Sequence, residues 1–212
     1  MKRLVTYTIL IVGILLSIAA FWYSSKIFKE RERLRFETVA KQITIKVKGR
    51  MDAYRETLYA GVGLFEASQS VERDEWHRFV DALKVDTNFP GIQGLGYSRV
   101  IPPEQAENPK QKQELYTSII YLEPADWRNR RALGYDMFSE KVRREAMLRA
   151  LYTGKAAASG KVRLVQENSV NEQAGFLMYV PVYRKGMPLG TNFERLAAIE
   201  GFVFAPFRGN DL

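Results

Sequence analysis

Few residues in this chain offer imidazole or thiolate chemistry, since its 212 residues include one histidine, His77, and no cysteine. Thiolate nucleophiles, disulfides and every cysteine-based zinc or iron-sulfur site are therefore excluded. His77 has no H-x-x-x-H partner, and no G-x-S-x-G elbow supplies a serine nucleophile. Gly91-x-x-Gly94-x-Gly96 reverses the glycine order of a dinucleotide fingerprint, with no βαβ unit around it. The segment from Gly154 to Lys161 approaches a phosphate-binding loop, but it is one residue too long and lacks the magnesium-holding Ser or Thr. No paired-carboxylate signature stands out, so neither a catalytic residue nor a metal ligand is assigned, and no cofactor is expected. Asp136 merits separate attention. It lies between a β-rich run and a helical one, where a carboxylate can order a helix start, pair with Arg143, or accept a charge-assisted hydrogen bond from an amine or ring N–H.

The elements that would position these groups follow from hydropathy and period. Leu4 to Tyr23 is a 20-residue run without charge, and at ~1.5 Å per residue a helix of that length matches a bilayer core. Residues 1–25 are read as a cytoplasmic tip and transmembrane helix, with Phe21, Trp22 and Tyr23 as an interfacial belt. A cleaved signal peptide fits less well, because its apolar region is usually shorter. Lys26, Lys29, Arg31, Arg33 and Arg35 follow the span, and by charge alone they would hold the larger part of the chain inside the cell. From Phe36 to Phe65 apolar residues recur at about 3.6-residue spacing, giving residues 26–70 as a long amphipathic stalk helix. It either covers one face of the following domain or dimerises.

Residues 71–212 carry an α+β pattern with an antiparallel sheet. Glu72 to Leu83 reads as a helix with acids in its first turn, broken by Asn88-Phe89-Pro90-Gly91. Five strands are expected at Ile92–Ile101, Tyr116–Leu122, Val162–Gln166, Phe176–Tyr183 and Ile199–Phe204. A helix over Glu140–Tyr152, capped by Ser139, interrupts them. Alternation in the fourth strand puts Phe176, Met178 and Val180 on one face, with Leu177 and Tyr179 on the other. The chain carries 32 basic and 24 acidic residues, net +8. Clusters at Arg128, Arg130, Arg131 and at Lys141, Arg143, Arg144, Arg149 raise nucleic acid as a partner, but beside a membrane tether a solvated face or attraction to anionic headgroups is the better reading.

Four ordered blocks, Phe89 to Val100, Ile120 to Pro124, Leu133 to Ser139 and Gly175 to Tyr183, resemble the CHASE domain. The resemblance runs from about Met51 to Leu212 and includes Glu194-Arg195 ahead of Gly201-Phe202-Val203. It implies an extracytoplasmic sensor of a membrane receptor, with a long helix followed by two PAS-like modules, often dimeric. That topology opposes the charge count and places the domain outside. In the plant cytokinin receptors of this family, an aspartate equivalent to Asp136 hydrogen-bonds a purine. Ala158 stands where those receptors bring a leucine backbone to the ligand, and an aromatic ligand contact precedes their Pro-Val-Tyr, which favours the face of Met178 and Val180. Tyr97 and Tyr121 are aromatic candidates for stacking on a flat, adenine-like ligand or for the core. The implied protein is a sensor, not an enzyme, that would dimerise through its stalk and bind a small molecule rather than nucleic acid. It would continue beyond Leu212 into a second span and a kinase or cyclase output module.

Overall fold

The computed structural model describes residues 2–105, 113–165 and 174–208. It divides into two units, Met1–Asp52 and Ala53–Leu212. One helix, α1 (Lys2–Ala67), supplies the whole of the first unit and opens the second. No proline occurs before Pro90, so nothing interrupts its hydrogen-bond ladder. By length and composition α1 can cross a membrane. In the first unit its stalk stripe is open, with Phe36, Val39, Ile43 and Val47 all exposed.

In the second unit the last turns of α1 are buried at Tyr54, Leu58 and Gly61, spaced four and three residues apart along one face. They are followed by α2 (Arg73–Leu83) and α3 (Val85–Asn88). Asp74 and Glu75 occupy the first turn of α2, where the helix dipole favours them. Lys84, left-handed at φ 49°, ends α2 and turns the chain into α3 before Pro90. A six-stranded antiparallel sheet comes next, made of β1 (Leu95–Ile101), β2 (Tyr116–Glu123), β3 (Ala157–Ala158), β4 (Val162–Arg163), β5 (Ala174–Tyr183) and β6 (Ile199–Arg208). Its order is β2-β1-β6-β5-β3, with β4 also on β5. Between strands lie α4 (Trp127–Arg130), a 3₁₀ turn at Met137–Ser139, α5 (Lys141–Thr153) and α6 (Asn192–Ala198).

The α+β class and antiparallel sheet agree with the sequence pattern, and several details differ. The described residues build one sheet. Ile92 forms only an isolated bridge, to Phe207. The Val162 strand is two residues long, and Gln166 lies outside the described residues. Glu140, not Ser139, caps α5: its carboxylate accepts from the Val142 and Arg143 backbone N–H groups at 3.0 Å each. Ser139 instead closes the preceding 3₁₀ turn, its hydroxyl donating to the Asp136 carbonyl at 2.6 Å. That turn moves the helix start on by one residue.

Both faces of the sheet are covered. On one face α5 packs Ala146, Met147, Ala150 and Leu151 with Leu177, Tyr179, Phe202 and Phe204. On the other, Gly61 of α1 lies against Val203, and Tyr54 against Phe207, with ring centroids 5.1 Å apart. A long β5 flanked by β6 and buried on both sides explains its nearly unbroken apolar run.

Candidate functional site

Asp136 sits at the start of the 3₁₀ turn on the α5 face. Its Oδ1 accepts three hydrogen bonds, from the Thr117 backbone N–H (3.0 Å), the Thr117 hydroxyl (2.8 Å) and the Phe138 backbone N–H (3.0 Å). Its Oδ2 accepts one, from Nε2 of Gln113 at 2.5 Å. Oδ1 is thus committed to holding the turn against β2, while Oδ2 is held only by a side-chain amide. The Oε1 of that amide is itself buried without a partner. Arg143 does not pair with Asp136. It is buried beside the Tyr135 ring, 5.4 Å from its centroid, donates to the Arg163 carbonyl and lies 3.5 Å from the Glu140 carboxylate.

Arg143, Tyr135, Ile119, Met137 and Leu177 line a residual cavity of about 10 Å³ on this face. That is room for roughly one water, far below the volume of a purine. Tyr179 lies here too, its hydroxyl 3.7 Å from the Met137 sulfur. Burial raises the Tyr179 hydroxyl well above its ordinary pKa.

The six residues singled out in the sequence do not line one pocket. Asp136 is on the α5 face. Tyr97, Met178 and Val180 are buried on the α1 face, as their register with Val203 and Ala205 requires. Tyr121 shares that face: its ring lies near Trp76, and its hydroxyl donates to the Val71 carbonyl at 2.8 Å. Ala158 is on the edge strand β3, and its carbonyl accepts from Arg149 at 2.7 Å. The alternation along β5 is as expected, but it is Leu177 and Tyr179, not Met178 and Val180, that share the face of Asp136.

Other charged groups have structural work as well. Arg128 and Arg131 lie over the Trp127 ring at 5.4 and 5.2 Å, and Arg130 and Arg144 donate to backbone carbonyls. Both basic clusters are thus largely engaged with the chain itself. His77 is mostly exposed, with Nδ1 3.2 Å from the buried Glu123 carboxylate. Sequence reasoning missed Thr117, Gln113 and the burial of Arg143. A signal for the last was present, since Arg143, Ala146, Met147 and Ala150 follow the helical period with an arginine at the first buried position.

Residues 69–212 match the family model of the CHASE domain, and the chain belongs to that family. CHASE domains are sensory parts of signalling receptors and are not catalytic. No curated protein matches the chain.

Proposed function

We propose that this chain is the extracytoplasmic small-molecule sensor of a membrane receptor, anchored through Leu4–Tyr23. The match over residues 69–212 carries this reading. The sheet is PAS-like, and the ligand contact is Oδ2 of Asp136. Gln113 donates there an N–H that a ligand amine or ring N–H would replace. An adenine-like molecule has such a donor beside an acceptor, matching a carboxamide edge. Its volume far exceeds the residual cavity, so binding must open the contact between the 3₁₀ turn, α5 and the sheet. A ligand drives such a change only by binding the open state more tightly. The displaced sheet would then pull on α1 and pass the signal to an output module of the kinase or cyclase type.

Thermal unfolding of the full chain with a panel of adenine derivatives tests this reading. A ligand at 100 times its Kd stabilises by about 2.7 kcal/mol, so a binder raises the melting temperature of the parent. Asp136→Asn keeps the Oδ1 acceptor and turns Oδ2 into a donor, and it should abolish the rise. An equal rise in parent and variant would overturn the Asp136 assignment.

A second reading rests on the exposed Phe36, Val39, Ile43 and Val47, a stripe suited to a second copy of the helix. In that case the chain is a dimerisation or partner-binding element that needs no small ligand.

A further inference from the structure

The α1 face of the sheet ends in a second, larger opening, unconnected with Asp136. A cleft of about 660 Å³ is bounded by the end of α1, the turn into α2, and strands β1, β2 and β6. That volume lies within the range of small-molecule sites, roughly 300–1,000 Å³. Its lining is charged and unbalanced, with Arg73, Arg99, Arg184 and Lys185 against Glu72 and Glu200. Among the described residues none of the four cations is ion-paired with a carboxylate, and the lining keeps an excess of positive charge.

The walls of the cleft are built rather than loose. Lys185 donates its ammonium to the Ser68 carbonyl, tying the turn after β5 to the end of α1. Arg184 donates to the Ala197 carbonyl, and the Tyr121 hydroxyl to the Val71 carbonyl. Behind Arg99 the buried Tyr97 ring packs on Phe65 with centroids 4.1 Å apart. These contacts hold Arg184 and Lys185 in place before any ligand arrives, which lowers the ordering cost of binding.

We infer that this cleft is a second ligand site, one that takes a small organic anion bearing carboxylate or phosphate groups. Guanidinium groups suit such oxyanions because they donate parallel, charge-assisted hydrogen bonds. Glu72 and Glu200 restrict the ligand, as they repel an anion that fills the whole cleft and favour one with a neutral hydroxyl or amine end. The site touches Phe65 and Ser68, so an occupant bears directly on the last turn of α1.

The test is isothermal titration of the full chain in phosphatidylcholine nanodiscs with citrate, succinate and inorganic phosphate. At least one probe should bind with Kd below about 1 mM. Arg99→Gln and Arg184→Gln should each weaken it about tenfold, the loss of one charge-assisted bond. Arg128→Gln, outside the cleft, should leave it unchanged. Failure of all three probes, or equal binding by the cleft variants, overturns the inference. A phosphate on a lipid headgroup offers the same chemistry. Recovery of the anion effect only in discs containing phosphatidylglycerol would assign the cleft to the membrane surface and overturn the free-anion site. None of these results bears on the Asp136 reading, which stands or falls with the adenine panel.

Discussion

Thr117 and Asp136 are joined twice through a single oxygen: the backbone N–H and the hydroxyl of Thr117 both donate to Oδ1, at 3.0 and 2.8 Å. The pair locks the centre of the chain, because Thr117 is on β2 and Asp136 caps the turn that leads into α5. Thr117→Val removes the hydroxyl while Oδ1 keeps its two backbone donors, so the expected loss is about 1 kcal/mol. Asp136→Ala leaves the Thr117 hydroxyl and two backbone N–H groups without their acceptor, and it should cost about 3 kcal/mol. Urea unfolding of both variants checks the ratio. Equal losses would show that the carboxylate holds the turn through some other contact.

Close approach of backbones at the centre of the sheet sets a second expectation. A Cβ at Gly96 would meet the Phe204 ring at 2.6 Å and the Tyr121 carbonyl at 2.7 Å. A Cβ at Gly201 would meet the Ser98 carbonyl at 2.5 Å and the Tyr97 ring at 2.6 Å. Gly96→Ala and Gly201→Ala should each destabilise by about 3 kcal/mol or prevent folding, because rigid backbone lies in the way. Gly63 has open space around its would-be Cβ, and Gly63→Ala in α1 should be neutral or stabilising by about 1 kcal/mol. Circular-dichroism melts of the three variants give the comparison.

The helices and long strands were legible in the sequence because their signals are local. The apolar period from Phe36 to Phe65 does form helix, and Leu95–Ile101, Tyr116–Glu123 and Ile199–Arg208 form strands close to the expected places. Two kinds of element were not foreseen. Strand β3 is two residues long, too short to show any alternation. Helix α6 is short and not periodic, although its start is marked by a Thr191-x-x-Glu194 capping box that the structure forms in full. The candidate site was legible at Asp136 as a turn-ordering carboxylate. Which face of β5 it would share was not, since alternation separates two faces without saying which helix covers each. The cleft cations were scattered from Arg73 to Lys185 in sequence, and only the fold brings them together.

Buried tyrosines should make the fold sensitive to alkali. Burial, with the Glu200 charge behind it, raises the Tyr97 hydroxyl, and burial raises Tyr179. A hydrogen bond to the Glu114 carboxylate, with burial adding to it, pushes Tyr152 up to about 12 from an ordinary 10.0. Each folded value lies above the unfolded one, so between them the unfolded chain binds fewer protons and stability falls as pH rises. The contribution is fully present below the unfolded value near 10.0 and is lost through the folded value, about 12 for Tyr152. Urea unfolding from about pH 9 upward should show the fall, and it should be shallower in Tyr179→Phe, which keeps the ring. An unchanged slope in that variant would mean that Tyr179 does not report on folding.

The two units of α1 predict opposite outcomes for apolar truncation. Leu58 is fully buried in the second unit, whereas Ile43 in the first is more than half exposed. Leu58→Ala removes a packed side chain and leaves a cavity, so it should cost about 2–5 kcal/mol in the unfolding of the Ala53–Leu212 unit. Ile43→Ala removes nothing from a folded core and should change that stability by less than about 0.5 kcal/mol. If the exposed stripe meets a second copy, Ile43→Glu should shift sedimentation of the full chain from dimer towards monomer, because a carboxylate buried in an apolar seam is desolvated without a partner. Leu58→Ala should leave the dimer in place as long as the chain is folded. A monomeric parent would instead leave the stripe without a second copy and remove the dimerisation reading, whereas a dimer insensitive to Ile43→Glu would move the contact elsewhere on the chain.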